Sequence, residues 1–116
     1  MKVAAAEAAA LVASTLPDQA QMLVLMDALP DAIYFKDASS RFLRISRALA
    51  ARLGLKDPAE AVGRTDGDFF SAEYAARTSR DEQEIMRSGR PMVDVVEQGL
   101  WPDGRVTWVS TTKMPL

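Results

Sequence analysis

The sequence predicts an α+β domain, a largely antiparallel sheet with helices packed on one of its faces. Two observations carry this. Apolar and β-branched residues form two pairs of strands, each joined by a short turn, one early in the domain and one at its end. Between the pairs lies a run of helical segments, most opened by a capping residue and closed by a glycine.

The elements follow in order. Residues 2–14 are strong helix formers, but their apolar face is mostly alanine with Val3, Leu11 and Val12. A helix that buries so little is marginal alone and calls for a partner. Thr15, Pro17 and Asp18 restart the helix with a hydroxyl, a proline in the first turn and an acid near the N-terminus. This second helix is expected to run to about Ala28. Met22, Leu25, Met26 and Leu29 form its stripe, facing its own sheet, and Pro30 ends it. Residues 32–36 and 41–45 read as a hairpin whose turn, 37–40, is held by Asp37.

Ser46 is placed to cap a helix over 47–53, which Gly54 ends. Asp57 and Pro58 open a short helix that Gly63 closes, and 65–70 read as one helical turn. A longer helix starts at Ser71 and runs to about Ser88, with Tyr74, Ala75, Thr78, Ile85 and Met86 on its apolar side and Gly89 as its stop. Residues 92–100 and 106–113 form the closing hairpin around Pro102-Asp103-Gly104. In the last strand Val106, Trp108, Ser110 and Thr112 share one face, and Thr107, Val109, Thr111 and Lys113 the other.

Composition bounds the rest. With 116 residues, 48% of them hydrophobic, the chain holds one core. A net charge of −2, with no basic block, gives no reason to expect nucleic acid. The sequence has no cysteine and no histidine, which excludes thiol nucleophiles, disulfides, and thiolate or imidazole metal sites. The alanine-rich start resembles a signal peptide, but Glu7 interrupts it, and no run reaches the ~20 apolar residues of a membrane span. A cytoplasmic location is expected. Asp66 and Asp68 lie close together, yet no nucleophile or second acid/base partner accompanies them. They are expected to cap and charge a short helix, and the chain is expected not to be an enzyme. For Lys113 three readings stand: a pair with Asp37, a pair with Glu97, or solvent.

The order and residues resemble a PAS domain over about 25–116. The phrases that carry the resemblance are Leu29-Pro30-Asp31-Ala32-Ile33-Tyr34-Phe35-Lys36-Asp37, Arg41-Phe42-Leu43, Leu53-Gly54-Leu55, Val62-Gly63-Arg64-Thr65-Asp66, Ser88-Gly89-Arg90-Pro91, Thr107-Trp108 and Thr111-Thr112-Lys113-Met114-Pro115-Leu116. The resemblance implies a five-stranded antiparallel sheet with helices on one face, enclosing a small cavity. It divides the chain into an N-terminal helical flank, 1–28, serving dimerisation, and a PAS core, 29–116. The family pattern continues past Leu116 with a central strand, so the core reads as C-terminally truncated. The gap is then expected to be closed by a neighbouring copy or a rearranged N-terminal segment, or left partly open.

The implied role is sensory: a module of a larger bacterial signalling protein of histidine kinase or diguanylate cyclase type, acting on that protein's effector domain and forming a homodimer through its N-terminal helix. The candidate cavity wall is Ile33, Phe35, Leu43, Leu53, Phe69, Phe70, Tyr74, Thr78, Met86, Trp108 and Ser110. Haem-binding members use a histidine on the long helix, and light-oxygen-voltage flavin and cinnamoyl photoreceptors use a cysteine, so none of these cofactors is expected. A non-covalent flavin, fatty acid or other small metabolite stays open. The alternative is a purely structural dimerisation module with a filled core and no ligand.

Overall fold

Local capping sets most of the helix boundaries in the computed structural model, which describes residues 16–116. Helix α1 spans Asp18–Ala28 and starts from Pro17 without a side-chain cap. Strands β1 (Tyr34–Lys36) and β2 (Phe42–Ile45) form the first hairpin. Asp37 holds its turn, accepting at Oδ1 from the backbone N–H of Ser39 at 2.9 Å and of Arg41 at 3.0 Å. Helix α2 (Arg47–Arg52) is capped by Ser46. Two 3₁₀ turns, Pro58–Ala61 and Asp66–Asp68, follow, and helix α3 runs Ala72–Ser88 from its Ser71 cap. It stops at Gly89, whose φ of 69° lies in the left-handed region that glycine enters at least cost. Strands β3 (Met92–Leu100) and β4 (Val106–Lys113) close the chain as a second antiparallel hairpin.

The core is small and local. Phe42, Ile45, Leu49, Ala50, Leu53 and Ala61 are buried together, with Tyr34, Phe69, Phe70 and Trp101 packed around them. The antiparallel hairpins and the intervening helices make the α+β architecture expected from the sequence.

Two expectations are corrected, and a third is not reached by the described residues. The single five-stranded sheet is not seen: the four strands form two separate two-stranded ladders, β1–β2 and β3–β4, and among the described residues the gap between them is open, one of the outcomes foreseen. Helix α1 does not bury its whole stripe: Met26 is buried, Met22 and Leu29 are half-buried, and Leu25 is exposed, as are Leu23 and Val24 beside it. It packs against α2, with an ion pair from Arg47 Nε to Asp27 Oδ1 at 3.6 Å. The alanine-rich helix expected over 2–14, and the part of the dimerisation flank it supplies, lie outside the described residues.

Among the described residues no hydrogen bond joins the β3–β4 hairpin to the rest of the domain. What holds it is side-chain contact. The Trp101 ring lies 6.1 Å from Phe70 and beneath the Arg52 guanidinium at 5.5 Å, while Lys113 faces Glu82.

Candidate functional site: a cleft between the two ladders

A cleft of about 870 Å³ lies where the two hairpins, α2 and α3 meet. That falls within the ~300–1,000 Å³ usual for small-molecule sites. Ile33 and Tyr34 line it from the first hairpin, Leu49 and Leu53 from α2, Tyr74 and Thr78 from α3, and Glu97 and residues 109–113 from the second hairpin. Phe70 and Trp101 complete an aromatic wall, with Phe70 4.5 Å from the Tyr74 ring. Gly99 makes this wall possible. A Cβ there would stand 2.9 Å from Trp101 Nε1, so only glycine lets the indole fold back and donate to Thr107 Oγ1 at 2.8 Å.

The end of the cleft at Asp66 and Lys113 is ionic. Lys36 Nζ donates to Asp66 Oδ2 at 2.6 Å and to Glu82 Oε2 and Oε1 at 2.7 and 3.0 Å. The three side chains are only 8–12% exposed. The ammonium also lies 5.0 Å from the Tyr34 ring centroid and 4.9 Å from that of Phe42. Asp68 does cap its turn, accepting from the Thr65 N–H at 2.9 Å. Asp66, expected to do the same, is instead a buried counter-ion. Lys113 reaches none of the outcomes foreseen for it: its side chain is 11% exposed and its Nζ stands 4.0 Å from Glu82.

Of the eleven candidate wall residues, six reach the cleft: Ile33, Leu53, Phe70, Tyr74, Thr78 and Ser110. The other five do not. Phe35 pairs with Arg44 and lies one residue out of phase with inward Tyr34 and Lys36. Leu43 is 55% exposed beside buried Phe42, and Trp108 is 60% exposed beside half-buried Val109. In all three strands a shift of one residue changes the face. Phe69 packs into the core beneath, and Met86 is on the exposed side of α3. Sequence reasoning missed Tyr34, Phe42, Trp101, Glu97 and the Lys36 cluster. The signal that could have found the last was a lysine in each of two apolar strands.

Burial pushes the Tyr34 phenol far above its ordinary value of 10.0, and the negative charges of Glu82 and Asp66 push it the same way. The folded state therefore favours the neutral phenol. Stability is unaffected below the unfolded phenol's pKa near 10.0 and falls as pH rises beyond it. We expect Tyr34→Phe to lose less stability than wild type between about pH 9 and about pH 11 in denaturant titrations. Equal losses would contradict this burial.

The fold and its cleft define an α+β domain of the sensory kind. The family model described as PAS fold matches residues 26–116, and the chain belongs to the PAS family. It is similar to solved structures of VqmA: VqmA bound to DPO, the Vibrio cholerae VqmA dimer in the absence of target DNA, and a VqmA–ligand–DNA complex. Each aligns with a TM-score of 0.72 and 27% identity over 84% of this chain. The match spans 49% of the first structure's chain and 43% of the other two, so this chain corresponds to about half or less of those receptors. No curated protein matches the chain. No helix among the described residues is long and apolar enough to cross a membrane.

Proposed function

We propose that this chain is the ligand-sensing module of a larger bacterial signal-transduction protein. The observation that carries the reading is the cleft, whose aromatic wall and buried ionic end can hold a small molecule between elements joined by few contacts. The DPO-bound state of the similar VqmA supports it. Occupancy would alter how the second hairpin docks, and the change would pass to an effector. We assign no catalytic step to this segment.

The parent's output is read from the neighbours. The sequence suggested a histidine kinase or diguanylate cyclase, whereas the neighbours are described as LuxR-type receptors with target DNA. A transcriptional regulator is the better-supported parent, with DNA contact assigned to a domain other than this weakly acidic one. Homodimerisation is part of the same proposal, and two exposed apolar surfaces favour it. One is Leu23, Val24 and Leu25 of α1; the other is Val96, Leu100, Val106 and Trp108 of the second hairpin. A cytoplasmic setting follows from this role.

Native mass spectrometry of the purified chain tests the sensing reading. The expected result is a retained small-molecule mass that is lost on denaturation, or a thermal shift with at least one member of a metabolite library. A bare mass and no shift across the library would leave the filled structural module as the better account.

A further inference from the structure

Arg44 is a half-buried cation that the described residues leave without a partner. Its Nη1 is buried and makes no hydrogen bond. A guanidinium carries five donors and no acceptor, and a buried donor left unmade costs more when the group is charged. Arg80 and Arg90 also lack an ion pair among the described residues, but both are exposed and water serves them. The register places Arg44. It pairs with Phe35 across the first hairpin, so the two share its outer face, opposite Tyr34 and Lys36. The irregularity between Phe35 and Lys36 leaves Leu43 as the extra residue of β2, 55% exposed beside Arg44. The outer face therefore sets an unmade donor among apolar side chains.

The sequence ahead of α1 carries the complement. Val3, Glu7 and Leu11 recur at four-residue spacing, so in the helix expected over 2–14 they share one stripe, an acid between two apolar residues. Glu7 is the only carboxylate ahead of α1. Pro17 turns the chain there. Its ψ of 147° is extended, and a proline disfavours a helical residue before it, so a helix over 2–14 cannot run straight into α1. Glu7 lies nine residues before Leu16, and Asp27 lies nine after Asp18. At ~1.5 Å per residue, a helix that doubles back at 15–17 brings Glu7 level with Asp27. Asp27 pairs with Arg47, three residues on from Arg44.

We infer that residues 2–14 dock on the outer face of the first hairpin of their own chain, Glu7 pairing with Arg44 while Val3 and Leu11 cover Phe35 and Leu43. The segment then completes the domain it precedes. The inference is independent of the cleft and of the sensing reading.

The test uses the full chain, which has no cysteine, so Ala5→Cys gives a single site for a nitroxide on the side of the helix away from Glu7. In a ¹⁵N-labelled sample the nitroxide should weaken the amide signals of 42–45. Adding Glu7→Gln should lower the ratio of docked to free segment about tenfold, the weight of one charge-assisted bond. Glu7→Arg should abolish the weakening, and Glu7→Arg with Arg44→Glu should restore it. The Glu7 variants alter no described residue, and unchanged signals from α3 show that the domain stays folded. Mixing unlabelled nitroxide-bearing chain with ¹⁵N chain that lacks the nitroxide should leave 42–45 unweakened. Weakening in that mixture places the segment on a neighbouring copy and overturns the inference. Signals of 42–45 that the nitroxide never weakens, or weakening that ignores both charge changes, overturn it as well. The sensing reading stands under every one of these results.

Discussion

Replacing Lys36 with methionine should cost about 3–5 kcal/mol, a large share of the stability of a domain this size. The substitution keeps the volume and removes the charge. It leaves the carboxylates of Asp66 and Glu82, 10% and 12% exposed, without the ammonium that bonds both. Lys113, with its Nζ 4.0 Å from Glu82, is beyond hydrogen-bond reach of that carboxylate and makes no bond to Asp66. Breaking a buried ion cluster is costlier than never having built one, because the stranded charges keep their desolvation penalty. The control is therefore a triple variant, Lys36→Met with Asp66→Asn and Glu82→Gln, which should recover most of the loss. Equilibrium unfolding in urea measures both. A single-variant cost below about 1 kcal/mol would mean that water reaches the cluster and that it behaves as a surface pair.

Ser46→Ala should be the next largest loss, about 2–3 kcal/mol, from the removal of one oxygen atom. Ser46 is fully buried, and its hydroxyl makes three bonds. It accepts from the Leu49 N–H at 3.3 Å as the cap of α2 and from the Ile33 N–H at 3.0 Å, and it donates to the Asp31 carbonyl at 3.0 Å. A lost cap alone costs about 1 kcal/mol. The Ile33 and Asp31 backbone groups lose a part-buried partner as well, which raises this. The denaturation midpoint should fall while the slope stays constant, because the surface exposed on unfolding is unchanged. A cost near that of an ordinary cap would show that the Ile33 and Asp31 groups find other partners.

These two residues also mark how far the sequence could be read. Ser46 was legible because capping is local: a hydroxyl before a helical run has one obvious use, and the same logic located Asp37, Ser71 and Gly89. The sheet was legible as two hairpins but not as faces. Phe35, Leu43 and Trp108 were placed inward because they are apolar members of their strands. In β1 the inward positions are Tyr34 and Lys36, and the reason lies elsewhere in the chain. Asp66 and Glu82, 30 and 46 residues on, supply the carboxylates that make a lysine tolerable inside. Strand parity is a tertiary property here, set by a charge cluster that no local pattern contains. Trp101 escaped notice for a similar reason. It sits at the mouth of a turn, and only Gly99 lets it fold back into the cleft.

The absence of hydrogen bonds between the second hairpin and the rest of the described chain has a consequence for how such a domain could carry information. Within the described residues the hairpin follows on from α3 through residues 89–91 and meets the rest through Trp101, which contacts Phe70 and Arg52, and through Lys113, which faces Glu82. A ligand could act on such a hairpin only by binding one of two arrangements better than the other. Driving such a pair of states from 1:99 to 99:1 requires a preference of about 10⁴-fold for one of them. A molecule lying along Tyr34, Phe70, Trp101 and Lys113 would touch the first hairpin and the second at once. Its affinity and its preference for one placement of the second hairpin would then be the same quantity.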